Sequence, residues 1–545
     1  MIKGKLIDLF ARKIFPAEVI ISENKIGKIN DLTGKITDEE TKKLPYIMPG
    51  FVDAHIHIES SMLTPSNFAV AAVPHGTIAT VSDPHEIANV IGAAGIDFML
   101  NDAAKVPLKF YFSVPSCVPF EKFGGIINDS EFEKFMAHEK IKCLGEVMDF
   151  PGVINDHDGI MKKIELAKKY NKISDGHAPG LSGDAAKKYF GAGITTDHEC
   201  MTFEEAVEKA NLGVMVQIRE GSAAKNFNDI IKLIEIKPQN CMFCSDDRHP
   251  DDLLHGHINL LVKKALKSGY DLFDVLNAAS TNAIRHYKLD CGLLRKGDFA
   301  DFIIVDDLDN FNIERVFING AEIAAHGKAL FNAAGLSHIN RFKTHEKTVD
   351  DFKILYNGQK PVKVKVIEAI DGQLVTGKTS FIPQIENNCV LADVKNDILK
   401  IAIVNRYCDS PISVGFIKNF GMKNGALASS VMHDSHNIIA VGVSDEAICR
   451  AVNVIIKNKG GICVAADSGE MSLPLPIAGI ISDLGCLELA HKYEEIQNFA
   501  AQTGTTLKSP FMTLSFMALT VIPELKISAE GLFDVTNFKV TSLFE

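Results

Sequence analysis

Apolar runs of six to eight residues recur between about residues 50 and 247, and amphipathic segments separate them. Segments such as 86–105, 159–170 and 203–210 have apolar residues at the three- and four-residue spacing of a helix. Alternating strands and helices are typical of a parallel α/β fold. Eight such units over roughly 240 residues predict a (β/α)8 TIM barrel. The predicted strands are 50–57, 77–84, 109–116, 142–149, 172–177, 193–199, 213–220 and 241–247.

The segments on either side of this barrel have a different pattern. Short β-like runs separated by polar turns fill residues 1–46 and return over residues 291–340, so we expect the two segments to form one small β domain beside the barrel at 47–290. A polar stretch without an apolar stripe follows at about residues 340–350. Residues 350–545 have strand and helix signals of their own and predict a separate C-terminal α+β domain.

Composition narrows the class of protein. A chain of 545 residues is too long for one compact core. Its formal net charge of −12 argues against a nucleic-acid binder. No apolar run reaches the roughly 18 residues that span a bilayer, and the N-terminus lacks the features of a signal peptide. Eleven cysteines spread through strand-like segments indicate reduced thiols, so we expect a cytoplasmic protein that binds neither nucleic acid nor membrane.

Unusual polar residues lie at the C-terminal ends of five predicted strands. In a closed parallel barrel these ends converge on the face where active sites of this fold lie. Residues i and i+2 of a strand point the same way, so two histidines at that spacing can bind one ion. Four imidazoles and two carboxylates suit one or two divalent transition metals, and one carboxylate is placed to bridge them. The residues are His55, His57, Glu146, His177, His198 and Asp246.

Other polar residues leave alternatives open. Asp83 and His85 end strand 2, and Arg219 and Glu220 end strand 7. These residues either contact the metal ligands or the substrate, or they only form the turns after the strands. A second His-x-His pair, 255–257, lies in the segment 251–266, which predicts one continuous helix. Side chains at i and i+2 of a helix diverge, so this pair is not expected to chelate, although either histidine is a candidate for the pocket mouth.

The motifs MPGFVDAHIHIESSMLTPSNFA, HGTIATVSDPHEIANVIG, GEVMDFPGV, DGHAPGLSG, TTDHE and CSDDRHPDDLL resemble the adenine deaminase family of the amidohydrolase superfamily. The C-terminal segments SVGFIKNFGMKNGALASSVMHDSHNIIAVG, SLPLPIAGIISD and PFMTLSFMALTVIPELK resemble that family too. The resemblance therefore covers nearly the whole chain, and its C-terminal part separates this family from most amidohydrolases.

The resemblance implies a binuclear centre that uses Mn²⁺, with Fe²⁺ or Zn²⁺ as alternatives. His55 and His57 would bind the first ion with Asp246, His177 and His198 would bind the second, and Glu146 would bridge. Asp246 and Glu146 would then be the catalytic residues. A metal-activated hydroxide would convert adenine to hypoxanthine and ammonia for purine salvage, with Asp246 accepting the proton and delivering it to the amine. The resemblance also implies a homo-oligomer, expected to be a homodimer.

The acid that protonates ring N1 stays open at this point. The residues considered for contact with substrate, as acids or as pocket groups, are Glu59, Asp83, His85, Glu199, Arg219, Glu220 and Asp247. In the C-terminal domain, His433 and His436 have the look of a ligand cluster, but polar residues that cap a strand or helix would look the same.

Two other functions compete with deamination. Hydrolysis of a cyclic amide, as in dihydroorotase or hydantoinase relatives, uses the same barrel ligands, but residues 350–545 do not resemble those enzymes. A catalytically silent barrel would be expected to have lost ligands, and this chain retains all six.

Overall fold

The computed structural model describes residues 1–222, 224–335, 337–359 and 361–545. The chain begins with an antiparallel meander in which alternate residues are buried. A short helix with a capping box at Thr37 then leads to a fourth strand, which pairs parallel with the first. These elements are β1 (Ile2–Asp8), β2 (Lys13–Ser22), β3 (Lys25–Asp31), α1 (Asp38–Lys43) and β4 (Tyr46–Pro49).

The predicted barrel is confirmed. Each predicted strand segment contains an observed parallel strand, and the neighbours pair in sequence order. A bridge between Ser174 and Ile194 joins strands 5 and 6, and strand 8 pairs with strand 1, which closes the ring. Strand 8 is interrupted at Ser245. The strands are β5 (Phe51–His57), β6 (Thr77–Ser82), β7 (Lys109–Val114), β8 (Ile141–Val147), β9 (Ile173–Gly176), β10 (Thr196–Asp197), β11 (Met215–Arg219), β12 (Cys241–Cys244) and β13 (Asp246–Asp247).

Helices follow the strands. Two segments that the pattern predicts as single continuous helices are each divided at a glycine. The 86–105 segment breaks at Gly92, and the 251–266 segment breaks at Gly256, whose φ of 151° few other residues adopt. The helices are α2 (Pro65–Ala72), α3 (His85–Ile91), α4 (Ala93–Ala103), α5 (Asp129–Met136), α6 (Phe150–Ile154), α7 (Asp158–Lys169), α8 (Gly183–Gly191), α9 (Phe203–Asn211), α10 (Phe227–Ile230), α11 (Leu233–Ile236), α12 (Pro250–His255), α13 (Ile258–Lys267), α14 (Leu272–Leu276) and α15 (Asn282–His286). Single 3₁₀ turns at Ile58–Ser61, Val73–His75 and Pro238–Asn240 and a π turn at Asn277–Thr281 complete this region.

The chain then returns to the N-terminal sheet. Strand β14 pairs antiparallel with β4, and β15 to β17 extend the sheet outward, so the flanking segments form one eight-stranded sheet. Leu6, Val19, Ile47, Phe302 and Phe317 fill its core, each at about 1.5–3 kcal/mol of burial free energy. The returning strands are β14 (Phe302–Val305), β15 (Ile313–Ile318), β16 (Ala321–Ala325) and β17 (Lys328–Ala329).

The C-terminal region is an α+β fold built on a second eight-stranded sheet, in the order β19-β18-β23-β22-β25-β24-β26-β27. Helix α16 is capped by Ser444 and packs Ile448, Val452 and Ile455 into the core of this sheet. The strands are β18 (Val364–Glu368), β19 (Gly377–Phe381), β20 (Ile385–Glu386), β21 (Cys389–Val390), β22 (Ile398–Val404), β23 (Ser413–Lys418), β24 (Ala426–Ser429), β25 (Ile438–Gly442), β26 (Gly461–Ala466), β27 (Gly469–Pro474), β28 (Leu525–Ser528), β29 (Gly531–Asp534) and β30 (Lys539–Val540). The helices are α16 (Asp445–Asn458), α17 (Cys486–Ala501) and α18 (Pro510–Ser515), with 3₁₀ turns at Val349–Phe352, Val394–Asn396 and Phe516–Ala518.

The chain packs into two compact units. The first comprises Met1–His85, Ile96–Cys117 and Asn128–Gly335, and therefore contains both the small β sheet and the barrel strands. The second comprises Glu86–Gly95, Val118–Ile127 and Leu336–Glu545. Division into three domains at the boundaries given above remains a proposal.

Among the residues that the structure describes, no helix is long and apolar enough to cross a membrane.

Candidate metal centre

The six strand-end residues meet at the C-terminal face of the barrel, each between 1% and 6% exposed. His55 and His57, two residues apart on β5, place their Nε2 atoms 3.2 Å from each other. The Oδ1 atom of Asp246 lies 3.3 Å from Nε2 of His57 and 3.7 Å from Nε2 of His55. Strands 1 and 8 therefore bring together a first group of three ligand atoms.

Glu146 lies between this group and a second one. Its Oε1 is 3.3 Å from Nε2 of His57. Its Oε2 is 2.7 Å from Nδ1 of His177 and 3.2 Å from Nε2 of His198. The two oxygens of one carboxylate thus face two different sets of histidines, which is the arrangement that a bridging ligand requires.

The distances between these atoms fit divalent metal ions. Two ligand atoms bound about 2.1 Å from one ion lie roughly 3–3.5 Å apart, and most of the separations above fall in or near this range. Three carboxylates are also buried together here, those of Glu146, Asp246 and Glu199, and Arg219 contacts two of them, Asp246 and Glu199. Buried carboxylates are paired with cations or coordinate metals.

The buried carboxylates and imidazoles of the centre shift one another's pKa values. Burial alone would lower the pKa of His57, His177 and His198, but hydrogen bonds and charges from Glu146, Asp246 and Glu199 outweigh it and raise all three. Burial, helped by the neighbouring His198 and His57, lowers the pKa of His55 to about 3, so its ring is neutral. Burial alone would raise the pKa of Glu146, but hydrogen bonds from His177, His198 and His57 outweigh it and hold that pKa well below the ordinary value.

Neighbouring groups fix the orientation of these ligands. Nδ1 of His57 donates to the backbone carbonyl of Asp83 at 3.1 Å, which turns its Nε2 toward the cluster. The carboxylate of Asp83 accepts the backbone N–H of Glu146 at 2.9 Å. The hydroxyl of Tyr189 accepts the N–H of His177 and donates to a carbonyl of β8, which links strands 4 and 5.

Arg219 is engaged by two carboxylates of the centre. Its Nη1 donates to Oδ2 of Asp246 at 2.7 Å, and the guanidinium binds Glu199 through two hydrogen bonds. Burial raises the pKa of Asp246, but the charge of Arg219 and a hydrogen bond from His57 outweigh it and leave that pKa well below its ordinary value. Oε1 of Glu199 is also 3.4 Å from Nε2 of His198. Arg219 and Glu199, both candidates for substrate contact, therefore bind each other and border the ligand groups.

Three other candidates for substrate contact, His85, Asp247 and Glu59, have different surroundings. Nδ1 of His85 lies 3.4 Å from Oε1 of Glu146 and 3.8 Å from Oδ1 of Asp83, so the structure brings it into the centre. Asp247 accepts the hydroxyl of Ser60 at 2.5 Å. Glu59 is buried in the turn that follows His57.

Glu220 does not join this cluster. Its carboxylate accepts from Nζ of Lys264 at 2.9 Å, and its side chain is 19% exposed.

Comparisons with known proteins match both the barrel and the C-terminal part of this chain. A model of the amidohydrolase family matches residues 46–323, and a model of the adenine deaminase C-terminal domain matches residues 373–539. An adenine deaminase of Methanosarcina barkeri is 48% identical over 551 residues, which cover 99% of each chain. This chain belongs to the adenine deaminase family.

Two further comparisons place this family member among known proteins. An adenine deaminase of Borreliella burgdorferi is 48% identical over 552 residues and 98% of each chain. A crystal structure of β-aspartyl dipeptidase from Fervidobacterium islandicum AW-1 is 19% identical, covers 62% of this chain and 98% of its own, and has a TM-score of 0.47.

The sequence pattern did not predict the contact between His257 and Asp53, which lies beside the centre. Because the predicted helix breaks at Gly256, His257 is not on a helix surface but is fully buried, with Nε2 at 2.8 Å from Oδ2 of Asp53. Its neighbour in the motif, His255, is exposed. The signal available in the sequence was Asp53 itself, two residues before His55 and therefore on the same side of strand β5.

The histidine pair of the C-terminal unit has its own partner. Nδ1 of His433 and Nε2 of His436 both donate to the carboxylate of Glu86. Nδ1 of His436 accepts the backbone N–H of Met432 at 3.2 Å, so the proton of a neutral ring is on Nε2. A nitrogen that carries this proton has no lone pair for a metal, so His436 is arranged as a hydrogen-bond donor and not as a ligand.

Proposed function

We propose that this protein is an adenine aminohydrolase that hydrolyses the exocyclic C–N bond of adenine and yields hypoxanthine and ammonia. The observation that carries the proposal is a full-length match to adenine deaminases in a chain whose barrel retains every expected donor residue. The match includes the C-terminal domain, which most amidohydrolases lack, so it favours a deaminase over an enzyme that opens cyclic amides.

The proposed centre holds two divalent ions. His55, His57 and Asp246 would hold one, His177 and His198 the other, and Glu146 would bridge them, since its two oxygens face the two groups. The mixed nitrogen and oxygen donors suit Mn²⁺, which we propose as the native metal, with Fe²⁺ or Zn²⁺ as alternatives. Divalent ions held in this way make water acidic enough to supply a nucleophile at neutral pH.

Asp246 is the proposed proton shuttle. Water adds at C6, the bond to the amino nitrogen breaks, and one proton must pass from the water to the departing amine. With Oδ1 among the ligand atoms and Oδ2 held by Arg219, the carboxylate of Asp246 is ionised and positioned to take that proton and deliver it.

Protonation of ring N1 requires a separate acid. Glu220 is bound to Lys264 and Glu199 to Arg219, so neither is placed for this role. We propose that Glu59 or Asp247, both buried at the ends of strands 1 and 8, supplies this proton and recovers one from the C6 hydroxyl as the carbonyl forms.

We expect the purified protein to deaminate free adenine and to have little activity on adenosine, because the family it matches acts on the base. Ammonia release from adenine, adenosine, cytosine and a dihydropyrimidine, measured side by side, tests this. Turnover of adenosine without turnover of adenine would contradict the proposed substrate, and opening of the dihydropyrimidine would favour the cyclic-amide hydrolase.

We also expect chelation to abolish activity and Mn²⁺ or Fe²⁺ to restore it at close to two ions per chain, because six donors exceed the four of a tetrahedral site. Elemental analysis of the reconstituted protein, with activity followed during stepwise metal addition, measures this ratio. Full activity with one ion per chain would remove Glu146 from its bridging role and leave the family assignment intact.

We further propose that the protein acts in the cytoplasm, in purine salvage, as a homodimer. All eleven cysteines are free thiols, which suits a reducing compartment. Light scattering of the purified protein tests the oligomeric state.

A further inference from the structure

Strand 8 reaches the metal centre with an unusual backbone. Asp246 has a φ of 55°, in the left-handed region that residues other than glycine rarely adopt. The strand is interrupted one residue earlier, at Ser245, and resumes with Asp246 paired to Ile56 of strand 1. A conformation of this kind persists only where surrounding contacts enforce it, so the contacts of Ser245 determine where the carboxylate of Asp246 points.

Those contacts converge on Asp53. Oδ1 of Asp53 accepts the backbone N–H of Ser245 at 3.0 Å, and Oδ2 accepts the hydroxyl of the same serine at 2.5 Å. Oδ1 also lies 3.3 Å from the backbone nitrogen of His55. One buried carboxylate therefore fixes the residue before Asp246 and the first histidine of the centre together.

His257 in turn holds Asp53. Its Nε2 donates to Oδ2 of Asp53 at 2.8 Å and lies 3.3 Å from the hydroxyl of Ser245. The hydroxyl of Thr77, at the start of strand 2, donates to Nδ1 at 2.7 Å, so both ring nitrogens are used. The ring is fully buried and packs edge-on against Phe68 at 5.5 Å between centroids.

We propose that His257 is a positioning residue of the deamination reaction, which acts through Asp53 and Ser245 to set the carboxylate of Asp246. The expected effect on kcat rests on the proposed function, adenine deamination. His257 touches none of the six ligand residues in the described contacts, and its effect passes through a carboxylate that strands 1 and 8 share. Supporting groups of this type orient the ligands that they contact and typically change metal affinity or activity by about 10- to 100-fold.

The test compares His257→Leu with His257→Gln, and uses His255→Leu as the matched control from the exposed end of the same motif. With Mn²⁺ saturating, His257→Leu is expected to lower kcat for adenine by about 10- to 100-fold, with KM changed by less than about twofold. His257→Gln retains a donor toward Asp53 and is expected to lose less than about tenfold. His255→Leu is expected to stay within about twofold of wild type, because its side chain is exposed.

A Mn²⁺ titration of the same proteins provides a second readout that does not depend on adenine. His257→Leu is expected to weaken binding at the site that includes Asp246 by about tenfold or more. A wild-type protein without adenine turnover would refute the proposed function, and the titration would still decide the role of His257.

A normal kcat in folded His257→Leu, or equal losses in the Leu and Gln variants, would overturn the positioning role and leave a purely structural one. If His257→Leu does not fold, Ser245→Ala replaces it, because that change removes only the hydroxyl contacts. It is expected to lower kcat roughly tenfold at unchanged KM, and a kcat equal to that of wild type would overturn the proposal.

Discussion

Replacing Asp246 with Asn is expected to lower kcat for adenine by at least about 100-fold, since general acid–base catalysis typically contributes 10²–10⁴-fold. The amide has nearly the same shape and retains an oxygen toward His55 and His57, but it cannot accept the proton of the attacking water. Metal content and fold are expected to change little, because Glu146 and the four histidines remain. Steady-state kinetics on metal-saturated protein, with elemental analysis of the same sample, measures both quantities.

Asp247→Asn is the matched control, because it makes the same chemical change at the next residue. Asp247 bonds Ser60, whereas Oδ1 of Asp246 lies beside the Nε2 atoms of His55 and His57, so the loss at Asp247 is expected to be the smaller one. A small loss would leave Glu59 as the acid that protonates ring N1. If Asp247→Asn instead lowers kcat strongly and Asp246→Asn leaves kcat close to wild type, the catalytic carboxylate is Asp247.

Replacing Glu146 with Gln is expected to reduce the bound metal from about two ions to about one per chain and to abolish most activity. A bridging ligand needs two anionic oxygens, and the amide offers one neutral oxygen and a donor nitrogen that repels a cation. Metal ions contribute several kcal/mol to such transition states, which corresponds to a loss in kcat of roughly 10²- to 10³-fold. Metal analysis and kinetics after reconstitution with Mn²⁺ measure both effects.

Glu139→Gln is the control for this change, because it lies just before the same strand, at its exposed N-terminal end. It is expected to alter kcat by less than about twofold, as exposed substitutions usually do. A Glu146→Gln protein that still holds two ions and turns over adenine at the wild-type rate would rule out the bridging role.

Much of the barrel was predictable because its signals are local. An apolar run followed by an amphipathic segment indicates a strand and a helix wherever it occurs, and the eight predicted strands are all present. The helix over 251–266 was predicted wrongly because apolar spacing continues through Gly256, where the backbone turns. Because of that error the role of His257 was not predicted. Its partner, Asp53, lies on the first barrel strand, whereas His257 follows the last one.

The contacts of Arg219 were not predictable in the same way. A strand-end arginine suits a substrate anion as well as a neighbouring carboxylate, and only the closed barrel shows it bound to Glu199 and Asp246. Likewise, the sequence left His433 and His436 undecided between a ligand cluster and a cap until the structure placed Glu86 against both.

The sequence by itself determined the family, the order of the strands and the six candidate donors at their ends. Those properties depend on residue type, on spacing along one segment and on the rule that parallel strands end on a common face. Only the tertiary structure decided which oxygen of Glu146 faces which histidines, which groups hold Asp246, and that His257 is buried against Asp53. These contacts join residues far apart in the chain, and their distances are set by closure of the barrel and by the left-handed backbone at Asp246, neither of which a local pattern records.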